Sequence, residues 1–336
     1  MNTDIYFAEE YAQVNELIEN GEALFFEIKS EHGHITLSTI KREIDIRVNG
    51  EKYYDLISPY GYGGPVIRSY TDLDKLREEF EASFTDYCRK NNIVSEFVRF
   101  NPLFQNQEPF KDMYDVIYLR NTVGTDLKSF KDPFQEEFCA TARRRVRKLI
   151  KDDRFSCVVT RNFDDVEDFI DIYRETMDRL NASDFYYFDD TYFYELKKKF
   201  GNDLLTTTVY FEGEIIAMGL YFISGDIIHD HLNGTRAEHL KHSPAYLLKY
   251  TMMNWAKANG FSTIHYGGGV SNSPEDTVLK FKKRFSKNTE FEFHIGKKIW
   301  NRKVYNELCR RTGIFGETEF FPAYRASDGF KKKVAV

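Results

Sequence analysis

The chain has 336 residues, more than one ordinary domain holds and a comfortable length for two. With 42% hydrophobic and 30% charged residues it belongs among globular chains that bury a core, and a net charge of −6 argues against a generic polyanion binder. Its 30 Phe and 22 Tyr suit a core and also a wet site lined by flat rings. Cys88, Cys139, Cys157 and Cys309 lie scattered without C-x-x-C spacing, so they are read as free thiols in a reducing compartment, not as a disulfide frame or zinc site. Residues 1–10 are polar and acidic, and the longest apolar run, 215–223, has nine residues where a membrane span needs ~20. The expectation is a cytoplasmic protein with no transmembrane segment, for which contact with a membrane surface stays open.

In chain order, strands are expected at 23–30, 34–41 and 53–57. The string Ser58-Pro59-Tyr60-Gly61-Tyr62-Gly63-Gly64-Pro65 follows. Three glycines in four positions let a backbone take positive φ and approach a ligand closely, and two prolines stiffen the ends. The same composition also suits an aromatic loop that packs internally. A helix at 72–91 and strands at 93–100 and 114–120 complete the first half. A basic helix, 132–151, joins the halves. Its Arg143/Arg147 and Arg144/Lys148 pairs, with Lys151, face away from Ala142, Val146, Leu149 and Ile150, the expected buried side. That basic face reads either as a phosphate contact or as a solvated surface balanced by Asp152 and Asp153.

The second half is clearer. A strand at 154–160 precedes a helix whose Val166, Phe169, Ile170, Tyr173, Met177 and Leu180 recur at helical spacing, with Asn162 as the expected N-cap. A shorter helix, 191–200, comes next. Strands at 204–211 and 214–223 flank the tight turn Glu212-Gly213, and Ser224-Gly225-Asp226 leads into a third strand, 227–233. Ser243, Pro244 and Gly260 bound a helix whose expected buried stripe is Leu247, Leu248, Thr251, Met252, Trp255 and Ala258. A strand at 262–266 runs into Gly267-Gly268-Gly269, followed by a helix near 275–285 and a strand near 289–295. A tail from Trp300 adds one helix and ends on Phe320-Phe321-Pro322-Ala323-Tyr324-Arg325.

The resulting order, β-α-α-β-β-β-α-β-α-β, resembles the GNAT acyltransferase fold. The glycine string after Tyr54-Asp55, the run Arg143-Arg144-Arg145-Val146-Arg147-Lys148, Gly267-Gly268-Gly269, Phe281-Lys282-Lys283-Arg284-Phe285 and the terminal segment follow in the order seen in Fem-type transferases, and the likeness spans nearly the whole chain. It implies an α/β (α+β) fold of two tandem GNAT-like units with a cleft between them. We expect the units at 1–150 and 151–300, with 301–336 a helix and tail that returns to the first. It implies an N-acyltransferase that uses an acyl-CoA (acetyl-CoA-type) donor on an amine of a cell-wall or surface-polysaccharide precursor. Alternatively, it uses aminoacyl-tRNA to extend a peptidoglycan bridge. Two departures stand out. The coiled-coil arm of some Fem members is missing. So is the glycine-rich pyrophosphate loop of ordinary GNAT enzymes, where 234–243 carries one glycine and an acidic residue. The second departure leaves open a non-catalytic protein that binds a nucleotide-sugar or peptide.

The resemblance carries a reactive lysine onto Lys282 and a substrate region onto Arg179 and Tyr187. On the third meander strand, period-2 alternation puts His229, His231 and Asn233 on one face and Asp230 on the other. His231 then reads as a general base, or as part of a hydrogen-bonded strand face. The candidate catalytic residues are therefore Lys282 and His231. The candidate substrate-binding residues are Tyr60, Tyr62, Gly63, Arg179, Tyr187, Asn233, Gly267 and Gly268. No His/Cys/Asp cluster has metal spacing, so no metal is expected; tRNA is the possible macromolecular partner.

Overall fold

The computed structural model describes residues 4–314, 318 and 320–326. The described residues divide into two compact units, one of residues 4–120 with those described from 292 to 326, and one of residues 121–291. Residues 121–150, expected with the first unit, thus lie in the second. Positions 1–3, 315–317, 319 and 327–336 of the expected spans fall outside the described residues.

In the first unit, α1 (Glu9–Val14) and α2 (Glu16–Glu19) precede β1 (Glu22–Ser30), β2 (Gly33–Val48) and β3 (Glu51–Ile57). After them come β4 (Val66–Tyr70), α3 (Leu73–Lys90) and β5 (Ile93–Arg99). Strands β1, β2 and β3 pair antiparallel in sequence, and β5 then pairs parallel with β3, Ile57 facing Phe97. The α3 crossover makes this possible; its apolar stripe of Leu76, Phe80, Phe84 and Cys88 is wholly buried. The sequence did not suggest β4, which pairs with β2 as an extra edge. β6 (Asp115–Asp126) carries the chain into the second unit.

There, α4 (Pro133–Glu136) and α5 (Ala140–Leu149) replace the single long helix expected at 132–151. The chain breaks at Glu137, whose buried carboxylate accepts from the Asp126 and Asn288 amides at 3.3 and 2.8 Å instead of facing solvent on a helix. Ile150 caps α5 and is 51% exposed, so it does not join the buried face of Ala142, Val146 and Leu149. The remaining elements are β7 (Phe155–Arg161), α6 (Val166–Leu180), α7 (Asp190–Phe200), β8 (Leu204–Phe211), β9 (Glu214–Ser224), β10 (Ile227–Thr235), α8 (Ala245–Ala258), β11 (Thr263–Gly267) and α9 (Thr277–Lys282). β12 (Glu290–Ile299) then returns to the first unit, where α10 (Arg302–Arg311) follows it.

Strands β7 to β10 form an antiparallel meander. Glu212 and Gly213 both take positive φ, 52° and 89°, which is the turn that suits tightly linked twisted strands. β11 joins β10 in parallel and β6 antiparallel. The meander–helix–parallel strand module thus occurs in both units. Its core in the second unit lies between the sheet and α8, around Tyr221, Ile228, Leu248, Met252, Ile264 and Tyr266. Helix bounds shift where caps differ from expectation: Asn162 sits at φ 72° ahead of α6, whose N-cap is Asp165, and Leu180 is exposed at its end.

Candidate active site

β10 and β11 pair over three residues only, Ile227 with Thr263, Ile228 with Ile264 and His229 with His265. Beyond that pair both strands change register toward their outer neighbours. β10 shifts against β9 between Asp230 and Leu232, and β11 shifts against β6 between His265 and Gly267. The two strands therefore part at His229 and His265. Both imidazoles are buried, with their Nδ1 atoms 3.3 Å apart, and His265 Nε2 lies 2.9 Å from Thr122 Oγ1. Burial first, then His229 and Lys282, hold the His265 pKa well below its usual value.

The shift on β10 inserts one extra residue, and this changes the faces read from the sequence. Asp230 stands opposite Tyr221, Leu232 opposite Leu220 and Asn233 opposite Gly219. Asn233 consequently shares the α8 face with Asp230 rather than the opposite face with His231. There Asn233 Nδ2 donates to Asp230 Oδ1 at 2.9 Å, and Lys249 Nζ donates to Asp230 Oδ2 and, at 3.1 Å, to Asn233 Oδ1. On the other face the His231 ring stacks on Phe222, centroids 4.1 Å apart, and its Nε2 is 2.7 Å from the Tyr192 hydroxyl. Burial pushes the His231 pKa down to about 3, with a smaller push from His229. At neutral pH the ring is uncharged and a weak proton acceptor, which argues against the general-base role considered above.

Lys282 ends α9, and its Nζ donates to the Gly268 carbonyl at 2.8 Å, so Lys282, Gly267 and Gly268 meet beside the end of β11. Gly267 takes φ 75°, a conformation that lets the chain leave the strand sharply. Asp276 ties the loop down through the Ser271 amide (2.7 Å) and the Leu279 amide (2.8 Å). Flanking Lys282, Phe285 is buried on Phe138 and Tyr246, which anchors the helix that carries the lysine.

Arg179 and Tyr187 sit near the far end of α6. The Tyr187 hydroxyl donates to Asp178 at 2.9 Å, and Arg179 Nε is buried with no hydrogen-bond partner among the described residues.

In the first unit the glycine string packs internally. Tyr62, 8% exposed, lies edge-on to Tyr6 and Phe293. The Tyr60 carbonyl accepts from Tyr11 Oη at 2.8 Å, and Arg99 Nη2 donates to the Ser58 and Pro59 carbonyls. The Gly63 amide donates to the Arg99 carbonyl at 2.7 Å, while its own carbonyl accepts from Asn106 Nδ2. Gly61 is required by its φ of 93° and because a Cβ there would lie 2.5 Å from the Tyr6 ring. The internal reading of this loop accounts for its composition. Asp55, just ahead of it, is fully buried beneath Arg42 Nε at 2.8 Å, Arg325 Nε at 2.5 Å and Tyr324 Oη at 3.1 Å. This explains the tail motif: Tyr324 and Arg325 clamp the strand that leads into the loop.

Among the described residues no three His, Cys, Asp or Glu side chains stand close enough to hold a metal ion, and no helix is long and apolar enough to cross a membrane. No curated protein matches the chain by sequence. Residues 137–283 match the family model of the acetyltransferase (GNAT) domain. A crystal structure of FemX is similar at 13% identity and a TM-score of 0.64, with 91% of this chain and 94% of that one covered. The C-terminal domain of an Agrobacterium fabrum protein named as a lysylphosphatidylglycerol synthetase matches at 12% identity and 0.58, covering 92% and 98%. The L-PGS structure from Bacillus licheniformis matches at 13% and 0.52, covering 94% and 100%. Residues 137–283 thus resemble the acetyltransferase (GNAT) domain, and the chain shares its fold with FemX.

Proposed function

We propose that the chain is an N-acyltransferase which moves an acyl group from an acetyl-CoA-type donor onto an amine of a cell-wall or surface-polysaccharide precursor. The observation that carries this reading is the parting of β10 and β11 after His229 and His265, at a bulge in β10, within the GNAT-matched residues. We read the bulge, where the strand leaves its regular ladder, as the place where the β10 backbone meets a donor carbonyl. The amine attacks that carbonyl and a C–N bond forms. The oxyanion accepts from the β10 backbone and from Lys282. Then the bond from carbonyl carbon to the leaving sulfur or oxygen breaks, and the amine's proton passes to the leaving group through solvent. His231, uncharged and bonded to Tyr192, shapes the wall of the site and takes no proton.

A second reading, aminoacyl-tRNA as donor, is favoured by one observation. The segment after β10, where a pyrophosphate loop would lie, is a 3-10 helix, Ala237–His242, and Arg145 of the basic α5 reaches its end at Ser243 Oγ, 2.5 Å away. Thermal melts with acetyl-CoA, coenzyme A, aminoacyl-tRNA and UDP-sugars separate the readings. A true donor at 100 times its Kd adds about 2.7 kcal/mol of stability. Stabilisation by UDP-sugars alone, with no transfer, would favour a binding protein instead.

A further inference from the structure

β7 ends the sheet in the second unit. Among the described strands it pairs only with β8, from Phe155 opposite Phe211 to Arg161 opposite Leu205 without a break. Two bonds fix which of its backbone groups that pairing uses. The Glu212 amide donates to the Arg154 carbonyl at 2.8 Å, and the Asn162 amide donates to the Leu204 carbonyl at 3.2 Å. The pattern alternates along an antiparallel pair, so Ser156, Val158 and Thr160 turn their backbone groups toward β8. Phe155, Cys157, Val159 and Arg161 turn theirs outward, where no described strand meets them. Of these outward groups, the Phe155 amide donates to the Asp152 carbonyl at 2.9 Å.

An open edge ordinarily carries charge, proline or a bulge that keeps other strands away. β1, which ends the sheet in the first unit, carries Glu22, Glu27 and Lys29, and its Ala23 amide donates to Glu16 Oε1 at 2.8 Å. β7 lacks these devices. From Phe155 to Thr160 it has no charged residue and no proline, and its register on β8 is unbroken. Phe155, Cys157 and Val159 pack on the α8 side, while Val158, at the middle of the strand, is 42% exposed on the other.

The strand is also complementary to itself. Laid antiparallel on a second copy about Val158, it sets Cys157 opposite Val159, Ser156 opposite Thr160 and Phe155 opposite Arg161. The outward-turned residues then face one another as hydrogen-bonded pairs, and Val158 meets its own copy as a close, non-hydrogen-bonded pair. No like charges meet, because Arg161 faces a phenyl ring and Arg154 falls opposite Asn162. We propose that β7 is the surface through which two copies of this chain associate, their sheets joining edge to edge in this register. The inference stands apart from acyl transfer. A pair of seven-residue strands is a small contact, so the dimer is reversible, with a Kd on the order of 1–100 µM.

Sedimentation velocity of the whole chain over a concentration series reads the association. The parent should pass from monomer toward dimer as its concentration crosses that range. Val158→Lys sets two ammonium groups against each other at the centre of the pair and should weaken association by about tenfold or more. Its circular dichroism spectrum should match the parent's, since the position is exposed and lysine is what edge strands ordinarily carry. Val158→Cys tests the register. Cα atoms in a non-hydrogen-bonded pair lie about 4.5 Å apart, within disulfide reach, so mild oxidation should link position 158 of one copy to position 158 of the other. Ser156→Cys is the control: its two copies would stand about 14 Å apart along the paired strands and should not link at 156. Peptide mass mapping identifies the linked positions. A parent that stays monomeric throughout the range would overturn the proposal, as would a dimer that Val158→Lys leaves intact. A dimer that links at 156, or fails to link at 158, would overturn the register.

Discussion

Replacing Asp55 with Asn should destabilise the first unit more than any surface change. The carboxylate is fully buried and serves two guanidinium groups, Arg42 and Arg325, which are themselves under a tenth exposed, together with the Tyr324 hydroxyl. Asn keeps the shape and removes the charge, so two buried cations face one neutral amide. Breaking a buried pair from one side costs about 3–5 kcal/mol. For a unit of this size each kcal/mol shifts the melting temperature by about 2–4 °C, so the transition should fall by about 6–20 °C. Differential scanning calorimetry, with the transition of the first unit followed separately, measures it. Asp152→Asn provides the contrast, because that carboxylate pairs with Arg154 at the surface and such pairs contribute only about 0–1 kcal/mol. A shift for Asp55→Asn no larger than that for Asp152→Asn would refute the view that the tail motif is a buried clamp.

Glu96 is buried in the first unit, with Tyr114 Oη (3.1 Å) and Trp300 Nε1 (3.3 Å) on one oxygen, and burial pushes its pKa up to about 8. The unfolded chain releases that proton at a lower pH than the folded one. Stability should therefore decline as pH rises from about 4.5 toward 8, and Glu96→Gln should flatten that decline in pH-dependent melts. Gly63→Val should lower the melting temperature rather than act on activity alone, since a Cβ there already lies 3.1 Å from Ser58; a stable, inactive variant would restore a ligand-facing loop. The pH profile of kcat/KM should show no inflection from His231 between pH 5 and 8, and a step near 6.5 that vanishes in His231→Gln would contradict its uncharged role.

Most of the element order was legible because those elements carry a local signal; β4, an extra edge on β2, carries none. The apolar stripe of α6, the Glu212-Gly213 turn and the bounds of α8 all depend on neighbours close in sequence. Lys249 was invisible for the opposite reason. A lysine on a helix reads as surface, and only the tertiary position of Asp230 explains its burial. The face of Asn233 was misread because a bulge inserts a residue without a compositional mark, and strict alternation has no means to register it. Asp55 and Arg325 stand in separate sequence motifs, and their partnership spans most of the chain, so spacing does not reveal it. The glycine string was ambiguous in the sequence: glycines that admit a ligand and glycines that admit the Tyr6 ring look the same.

The proposed acyl transfer turns on Lys282, whose Nζ donates to the Gly268 carbonyl beside the end of β11. The most direct measurement is the steady-state kinetics of Lys282→Ala with the donor found by melting and an amine acceptor, with product followed by mass. A lysine that meets the oxyanion acts in the transition state, so kcat should fall by about 100- to 1000-fold while KM for the acceptor and the melting temperature stay close to those of the parent. An unchanged kcat would contradict the proposed mechanism, whether or not KM rose.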